Sequence, residues 1–175
     1  MIIIYLGRRG AGKTMSLVKD AFKFASEGWK VYSNFEIGIA ELISSDDILA
    51  IDKHSEIKNC VLCIDEIQIF FDSRRSMKKV NINFSHMLMQ LRKRNIILLC
   101  TTQFQNSVDL RFRNHVDIIA RPKFIKKYEL CEVKYIDATA FQDEMYMYDN
   151  QKNSFVTIIY DATQIYDKYD TNTLI

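Results

Sequence analysis

The chain has 175 residues, 48% hydrophobic and 26% charged, with 24 basic against 22 acidic side chains. That length suits one globular unit with a sizeable core, and the composition excludes intrinsic disorder as a description of the whole. The longest apolar runs, residues 1–6 and 96–100, are far too short to span a bilayer. No basic stretch precedes the first run and no small-residue cleavage site follows it, so no secretory leader is expected.

Residues 2–6 (IIIYL) form a short β-rich run, followed by a glycine loop. Over residues 15–26, Leu17, Val18, Ala21, Phe22, Phe24 and Ala25 recur at helical spacing, and Gly28 supplies the stop. Residues 29–33 read as a second strand, 40–50 as a short helix and 59–64 as a third strand. Residues 80–94 form an amphipathic helix with Ile82, Met87, Leu88 and Leu91 on one side. A fourth strand is expected over 96–101 and a fifth over 116–120. Past Pro122, the only proline, 128–136 and 154–160 read as antiparallel strands with a polar connection over 142–153. Fully apolar strands alternating with helices predict an α/β fold, a mostly parallel sheet covered on both faces. One domain is expected, with residues 1–122 as its core and 123–175 as a β-rich extension.

Cys60 and Cys63 form a C-x-x-C, the spacing of a metal or redox pair. They lie within the apolar run CVLCI, where a separation of three on a strand sends the sulfurs to opposite faces. Cys100 and Cys131 are isolated, so all are read as core cysteines of a reducing compartment. His54, His86 and His115 form no ligand spacing.

Gly7-Arg8-Arg9-Gly10-Ala11-Gly12-Lys13-Thr14 fits G-x-x-x-x-G-K-[ST] completely. Such a loop curls so that successive N–H groups face phosphate oxygens, and the helix it opens adds a positive end. Lys13 is placed to reach the β- and γ-phosphates, and the Thr14 hydroxyl to coordinate Mg²⁺. Binding of a nucleoside triphosphate, ATP with Mg²⁺, is the expectation. The strand VLCI then ends in Asp65 and Glu66. Asp65 suits the Mg²⁺ shell, and Glu66 suits a general base that polarises a water for attack on the γ-phosphate. The strand IILLCTT ends at Gln103; beside the first strand, that amide would sit near the γ-phosphate and could report hydrolysis. The other readings of Glu66 and Gln103 are a solvated strand-end acid and a turn residue.

These strand ends together resemble the additional-strand P-loop ATPases (RecA/FtsK-like), and within them the HerA/FtsK superfamily of DNA pumps. The nearest likeness is to viral genome-packaging ATPases and the related Zot-type (zonula occludens toxin) domain. GRRGAGKT, CIDEIQIFFDSRRS, QLRKRNIILLCTTQ, VDLRFRNHVD and the tail YDKYDT carry it. The resemblance implies a homo-oligomeric ring, a hexamer, acting on double-stranded DNA in the host cytoplasm, with a capsid or portal protein as a further partner. It also implies an arginine finger supplied in trans. Arg74 takes that role, with Arg75, Arg111 and Arg113 as alternatives. Zot proteins of filamentous phages carry a membrane segment after the ATPase domain; no such segment is found here.

The formal charge of +2 conceals a division. Residues 1–70 carry 8 basic and 10 acidic side chains, 71–127 carry 13 and 3, and 128–175 carry 3 and 9. The basic middle block, including Arg74, Arg75, Lys78, Lys79, Arg92, Lys93, Arg94, Arg121, Lys123, Lys126 and Lys127, is the footprint expected of a phosphate-backbone binder. Lys78 and Lys79 are the first choice for DNA contact; the other reading is charge pairing with an acidic tail. Tyrosines in the C-terminal third suit cross-strand packing or subunit contacts better than base stacking. Two other functions fit less well: a small-molecule kinase of the nucleotide type, and a nucleotide-dependent scaffold in virion or filament morphogenesis.

Overall fold

The computed structural model describes residues 1–69, 87–104, 108, 110–138 and 154–170. Its elements in chain order are β1 (Ile2–Leu6), α1 (Lys13–Ser26), β2 (Lys30–Ser33), β3 (Glu36–Ile37), β4 (Glu41–Leu42), α2 (Ser45–Leu49) and β5 (Cys60–Ile64). There follow α3 (87–93), β6 (Ile96–Thr102), α4 (Leu110–Arg113), β7 (Ile118–Ile125), β8 (Leu130–Asp137), β9 (Ser154–Asp161) and β10 (Tyr169–Asp170).

The main sheet runs in the order β4-β2-β5-β6-β1-β7-β8-β9. Pairing is parallel from β4 through β7 and antiparallel from β7 to β9. β6 lies between β1 and β5, which is the additional-strand arrangement. Every residue of β5 and β6 is buried, because both strands are covered on both sides. One face packs against α1, through Met15, Leu17, Val18 and Ala21; the other packs against α2, α3 and α4, through Ile48, Met87, Leu91 and Phe112. Cys60 belongs to the second layer and Cys63 to the first, as strand alternation requires. All four cysteines are free and buried; burial pushes the Cys60 thiol up to about 11 and the Cys63 thiol higher still.

Two elements differ from expectation, and a third lies where no element was assigned. The segment read as a helix over 40–50 is instead the short strand β4 followed by α2. Ser44 breaks the pattern: its Oγ accepts from the Asp47 N–H at 3.2 Å and so caps a helix that cannot start earlier. β7 does not stop before Pro122 but runs through it. Pairing with β1 covers only Ile118–Ala120, so the missing proline N–H falls where that neighbouring strand has ended. The tail is also structured: β10 pairs with β3, Tyr169 opposite Ile37, as a separate two-stranded sheet.

Arg94 proves to be a structural residue. Its guanidinium donates to the carbonyls of Asp52 (2.9 Å), His54 and Ile57, tying the loop before β5 to the end of α3. The basic block also divides in space. Arg92 and Lys93 are exposed just before β6 begins, whereas Lys123, Lys126 and Lys127 are exposed at the far end of β7, the end at which the phosphate loop lies. Arg121 is half-buried, and burial lowers its pKa. Arg74, Arg75, Lys78, Lys79, His86 and the 142–153 connection lie outside the described residues.

A buried carboxylate fixes α1 on the sheet. Asp20 Oδ2 accepts from the hydroxyls of Tyr5 on β1 and Tyr135 on β8, both at 2.6 Å, and Oδ1 pairs with Lys19 at 2.8 Å. Burial first, then the Asp20 charge, holds both phenols far above their ordinary range, so both remain donors. Tyr135→Phe should therefore lower stability by about 1.5–3 kcal/mol, the scale of a hydrogen bond to a charged group. Urea denaturation should show this as a lower midpoint at unchanged slope.

Candidate functional site

The site forms at the carboxyl ends of the parallel strands, where β1, β5 and β6 release their chains. Gly10 (φ 77°) and Gly12 (φ 91°) take left-handed backbone conformations that suit glycine. A Cβ on Gly12 would come within 3.0 Å of Cys131 Sγ and 3.2 Å of Met15 Cε. The loop is thus pressed against β8, and its shape depends on a strand far along the chain. Gly12 also caps α1 without a side-chain partner, and no acidic residue occupies the first turn, so the positive helix end is left to an anion.

Lys13 is buried, and its Nζ donates to the Arg8 carbonyl at 3.3 Å, arching back across the loop. The Ala11 N–H reaches the same carbonyl at 3.1 Å, while Arg8, Arg9 and Gly10 are exposed. The Lys13 ammonium and the Ala11 N–H thus share one carbonyl inside the loop.

Asp65 stands opposite this loop. The register aligns Ile64 with Cys100 and Tyr5 with Thr101, so the acid emerges beside Thr101 and across from α1. Asp65 Oδ1 accepts from Thr101 Oγ1 at 2.6 Å and from Thr14 Oγ1 at 3.1 Å. Its backbone is clamped by one side chain: Asn34 Oδ1 accepts the Asp65 N–H at 2.8 Å and Asn34 Nδ2 donates to the Asp65 carbonyl at 3.3 Å. Burial raises the Asp65 pKa, the two hydroxyls and Lys13 oppose that rise, and Glu66 adds to it. The separation of the Thr14 and Asp65 oxygens is close to the edge, about 3 Å, of an octahedron of oxygens around Mg²⁺. An all-oxygen pair at this spacing fits that ion. Among the described residues no cluster of three or more His, Cys, Asp or Glu side chains could hold a metal.

Glu66 follows with φ 55°, a left-handed conformation that is strained for a residue with a side chain by about 1–2 kcal/mol. Thr101 supports it, its Oγ1 accepting the Glu66 N–H at 2.9 Å. The carboxylate meets two amides. Oε1 accepts from Gln103 Nε2 at 3.3 Å, and Oε2 accepts from Gln68 Nε2. Gln103 reaches this point because Leu6 pairs with Thr102 and the Gly7 N–H approaches the Thr102 carbonyl at 3.4 Å.

The structure therefore brings Lys13, Thr14, Asp65, Glu66 and Gln103 to one end of the sheet. It adds Asn34, Thr101 and Gln68, which sequence reading did not single out. Only their positions at the ends of strands flanking the acidic motif signal them. Tyr169 on the tail strand β10 is a further addition: burial first, then the Asp65 charge, raises its pKa. Arg111 is exposed and Arg113 half-buried on α4. Arg74 lies outside the described residues.

A family model described as zonular occludens toxin (Zot) matches residues 1–128. The chain belongs to the Zot family. The N-terminal domain of zonular occludens toxin from Neisseria meningitidis superposes with a TM-score of 0.67 at 22% identity, covering 97% of this chain and 98% of that one. The genome packaging NTPase B204 of Sulfolobus turreted icosahedral virus 2, in complex with ATP-gammaS, gives 0.56 at 14% identity over 79% and 92%. The same NTPase in complex with AMP gives 0.58 at 15% identity over 94% and 93%. No curated protein matches in sequence. The Zot-family chain thus has the P-loop NTPase fold, a mostly parallel sheet with antiparallel C-terminal strands. Among the described residues no helix is long and apolar enough to cross a membrane.

The raised Asp65 pKa carries a stability consequence. A carboxyl whose folded pKa exceeds its unfolded value favours the native state at low pH and loses that contribution as pH rises through the folded pKa. At neutral pH the buried charge therefore opposes folding. Asp65→Asn should raise the stability of the nucleotide-free protein near neutral pH by about 0.5–2 kcal/mol, read from its denaturation midpoint. The gain should shrink as pH falls through the folded pKa and vanish below about pH 3, under the ordinary aspartate value, where the wild-type carboxyl is protonated in both states.

Proposed function

We propose that this Zot-family protein hydrolyses ATP with Mg²⁺ and uses the energy to move nucleic acid, specifically viral double-stranded DNA into a capsid. The observation that carries the hydrolytic reading is the placement of Glu66 next to Asp65 and Gln103 at the mouth of the phosphate loop. A hydrolase needs a base for water, whereas a kinase for a small hydroxyl has an acceptor of its own. Support for nucleic acid comes from the basic side chains at the end of β7 and from the solved packaging NTPase with the same fold.

In this reading the N–H groups of residues 7–14 and the α1 end cradle the phosphates, and Lys13 leaves the Arg8 carbonyl for a phosphate oxygen. Thr14 and Asp65 would hold Mg²⁺, which supplies neutralisation of phosphate charge. Glu66 takes the proton of the attacking water, and Gln103 orients that water or the γ-phosphate. Arg74 of a neighbouring copy in a hexameric ring supplies the finger, with Arg75, Arg111 and Arg113 as the alternatives, and the exposed lysines contact DNA. A capsid or portal protein is the further partner, and the host cytoplasm the place of action.

Glu66→Gln should bind ATP as the wild type does and lose turnover by at least about a hundredfold. Wild-type turnover should rise when duplex DNA is added to the assembled protein. Hydrolysis indifferent to DNA, with no DNA binding, would remove the translocation reading and leave a plain ATPase. Arg74→Ala subunits mixed with Lys13→Ala subunits should recover activity that neither has alone. Absence of recovery in verified mixed assemblies would exclude Arg74 as a finger acting in trans.

A further inference from the structure

At the end of the sheet opposite the phosphate loop, where β1, β6 and β7 begin, the surface opens into a cavity of about 900 Å³. That volume falls within the ~300–1,000 Å³ of clefts that take a ligand. Its base is apolar. Ile2 of β1 and Leu88 and Leu91 of α3 are buried there, and the more exposed Met1 and Met89 (51%) continue the wall outward. Methionine side chains are flexible and polarisable, so they adapt to the side chains of a docking segment. No Phe, Tyr or Trp lines the cavity among the described residues, and it therefore offers little for bases to stack on.

Charge is confined to the rim. The end of α3 and the turn after it carry three consecutive cations, Arg92, Lys93 and Arg94. The fold uses only the third, whose guanidinium is taken up by the carbonyls of Asp52, His54 and Ile57. Arg92 and Lys93 are exposed, line the cavity and enter no ion pair among the described residues. His115, also exposed, lines it from the loop before β7. The one acid in the described wall, Asp117, is already engaged. Its Oδ2 accepts the Ile2 N–H at 2.6 Å, its N–H donates to the Ile2 carbonyl at 3.0 Å, and its own carbonyl accepts the Ala138 N–H at 3.1 Å. Asp117 thus ties β1 and the end of β8 to the start of β7, and it pairs with neither cation.

We propose that this cavity is a docking site for a short segment of a partner protein that is both apolar and acidic. Its apolar side chains enter between α3 and the start of β1, and its carboxylates meet Arg92 and Lys93. Charge selects the occupant: an apolar cleft rimmed by two unpaired cations, with its acid already bonded, favours carboxylates and rejects basic segments. An amphipathic helix laid in a groove is the arrangement that presents such side chains together. Because the cavity lies at the amino ends of the strands, an occupant leaves the phosphate loop open, and nucleotide and partner can be bound at once. The inference goes beyond the ATPase reading and does not depend on it.

The probe is a fluorescein-labelled peptide of about 14 residues, leucines at helical spacing followed by glutamates, titrated into the full chain and followed by anisotropy. Saturable binding is expected with a Kd of about 10–100 µM, weakened at least about threefold by high salt as the rim cations are screened. The double variant Arg92→Gln, Lys93→Gln and the single variant Met89→Glu should each weaken it about tenfold or more. Met89→Glu should leave ATP affinity unchanged, which shows that the variant is folded. A peptide with lysines in place of the glutamates should bind at least about tenfold more weakly. With methyl-labelled methionine, the Met89 resonance should move as peptide is added, whereas that of Met15, behind the phosphate loop, should stay. No saturable binding, binding that survives the variants, or an unmoved Met89 resonance overturns the proposal. So does displacement of the peptide by duplex DNA or by phosphatidylglycerol vesicles with the same Met89 shift, which assigns the cations to a nucleic-acid backbone or a lipid headgroup. The peptide assay involves no hydrolysis, so its failure leaves the ATPase reading standing, and failure of that reading leaves the docking site standing.

Discussion

The site is organised around one buried carboxylate. Asp65 leaves β5 at the point where the phosphate loop leaves β1 and the polar end of β6 leaves the sheet, and it is bonded to both neighbours through Thr14 and Thr101. A charge in that position is costly unless hydrogen bonds surround it. The protein meets the requirement with two hydroxyls on one oxygen and with Asn34 on the backbone behind it. The pKa of Asp65 is still raised. Its charge therefore costs stability, which packing elsewhere in the domain offsets.

Much of that compensation lies on the same face of the sheet. Asp20 binds Tyr5, Tyr135 and Lys19, and Ser16 joins Gly12, Cys131 and Tyr160, so α1 is tied to β1 on one side and to β8 and β9 on the other. The antiparallel extension is thus part of the support of the phosphate loop. Gly12 shows this most directly, since only the absence of a Cβ lets the loop sit against Cys131. The rigid arrangement contrasts with Glu66, whose backbone is strained and whose carboxylate is held by side-chain amides alone.

Charge behaves differently from packing. A basic block that is continuous in sequence is split by the fold between the two ends of the sheet, and one of its members, Arg94, is consumed in holding a loop. A run of like charges records only proximity along the chain. Strand direction decides which end each residue reaches, and β7 carries Lys123, Lys126 and Lys127 to the end where the phosphate loop lies.

The phosphate loop, the acidic pair after β5, the polar end of β6 and the alternation of strands with helices were all legible in the amino-acid order. Each is a local pattern: glycine spacing, apolar runs and their terminal residues are set by backbone geometry within a few positions. The opposite faces of Cys60 and Cys63 were legible too, because strand alternation needs no tertiary information. Residues 40–50 and the course of β7 were misread, where a serine cap and the ending of a neighbouring strand outweighed local propensity. The folded arrangement alone reveals that Asn34 and Thr101 brace Asp65, that Gln68 and Gln103 share Glu66, and that β8 backs the loop. Those relations join residues brought together by parallel register, and register is fixed by the burial of the whole sheet and by no single segment of the chain.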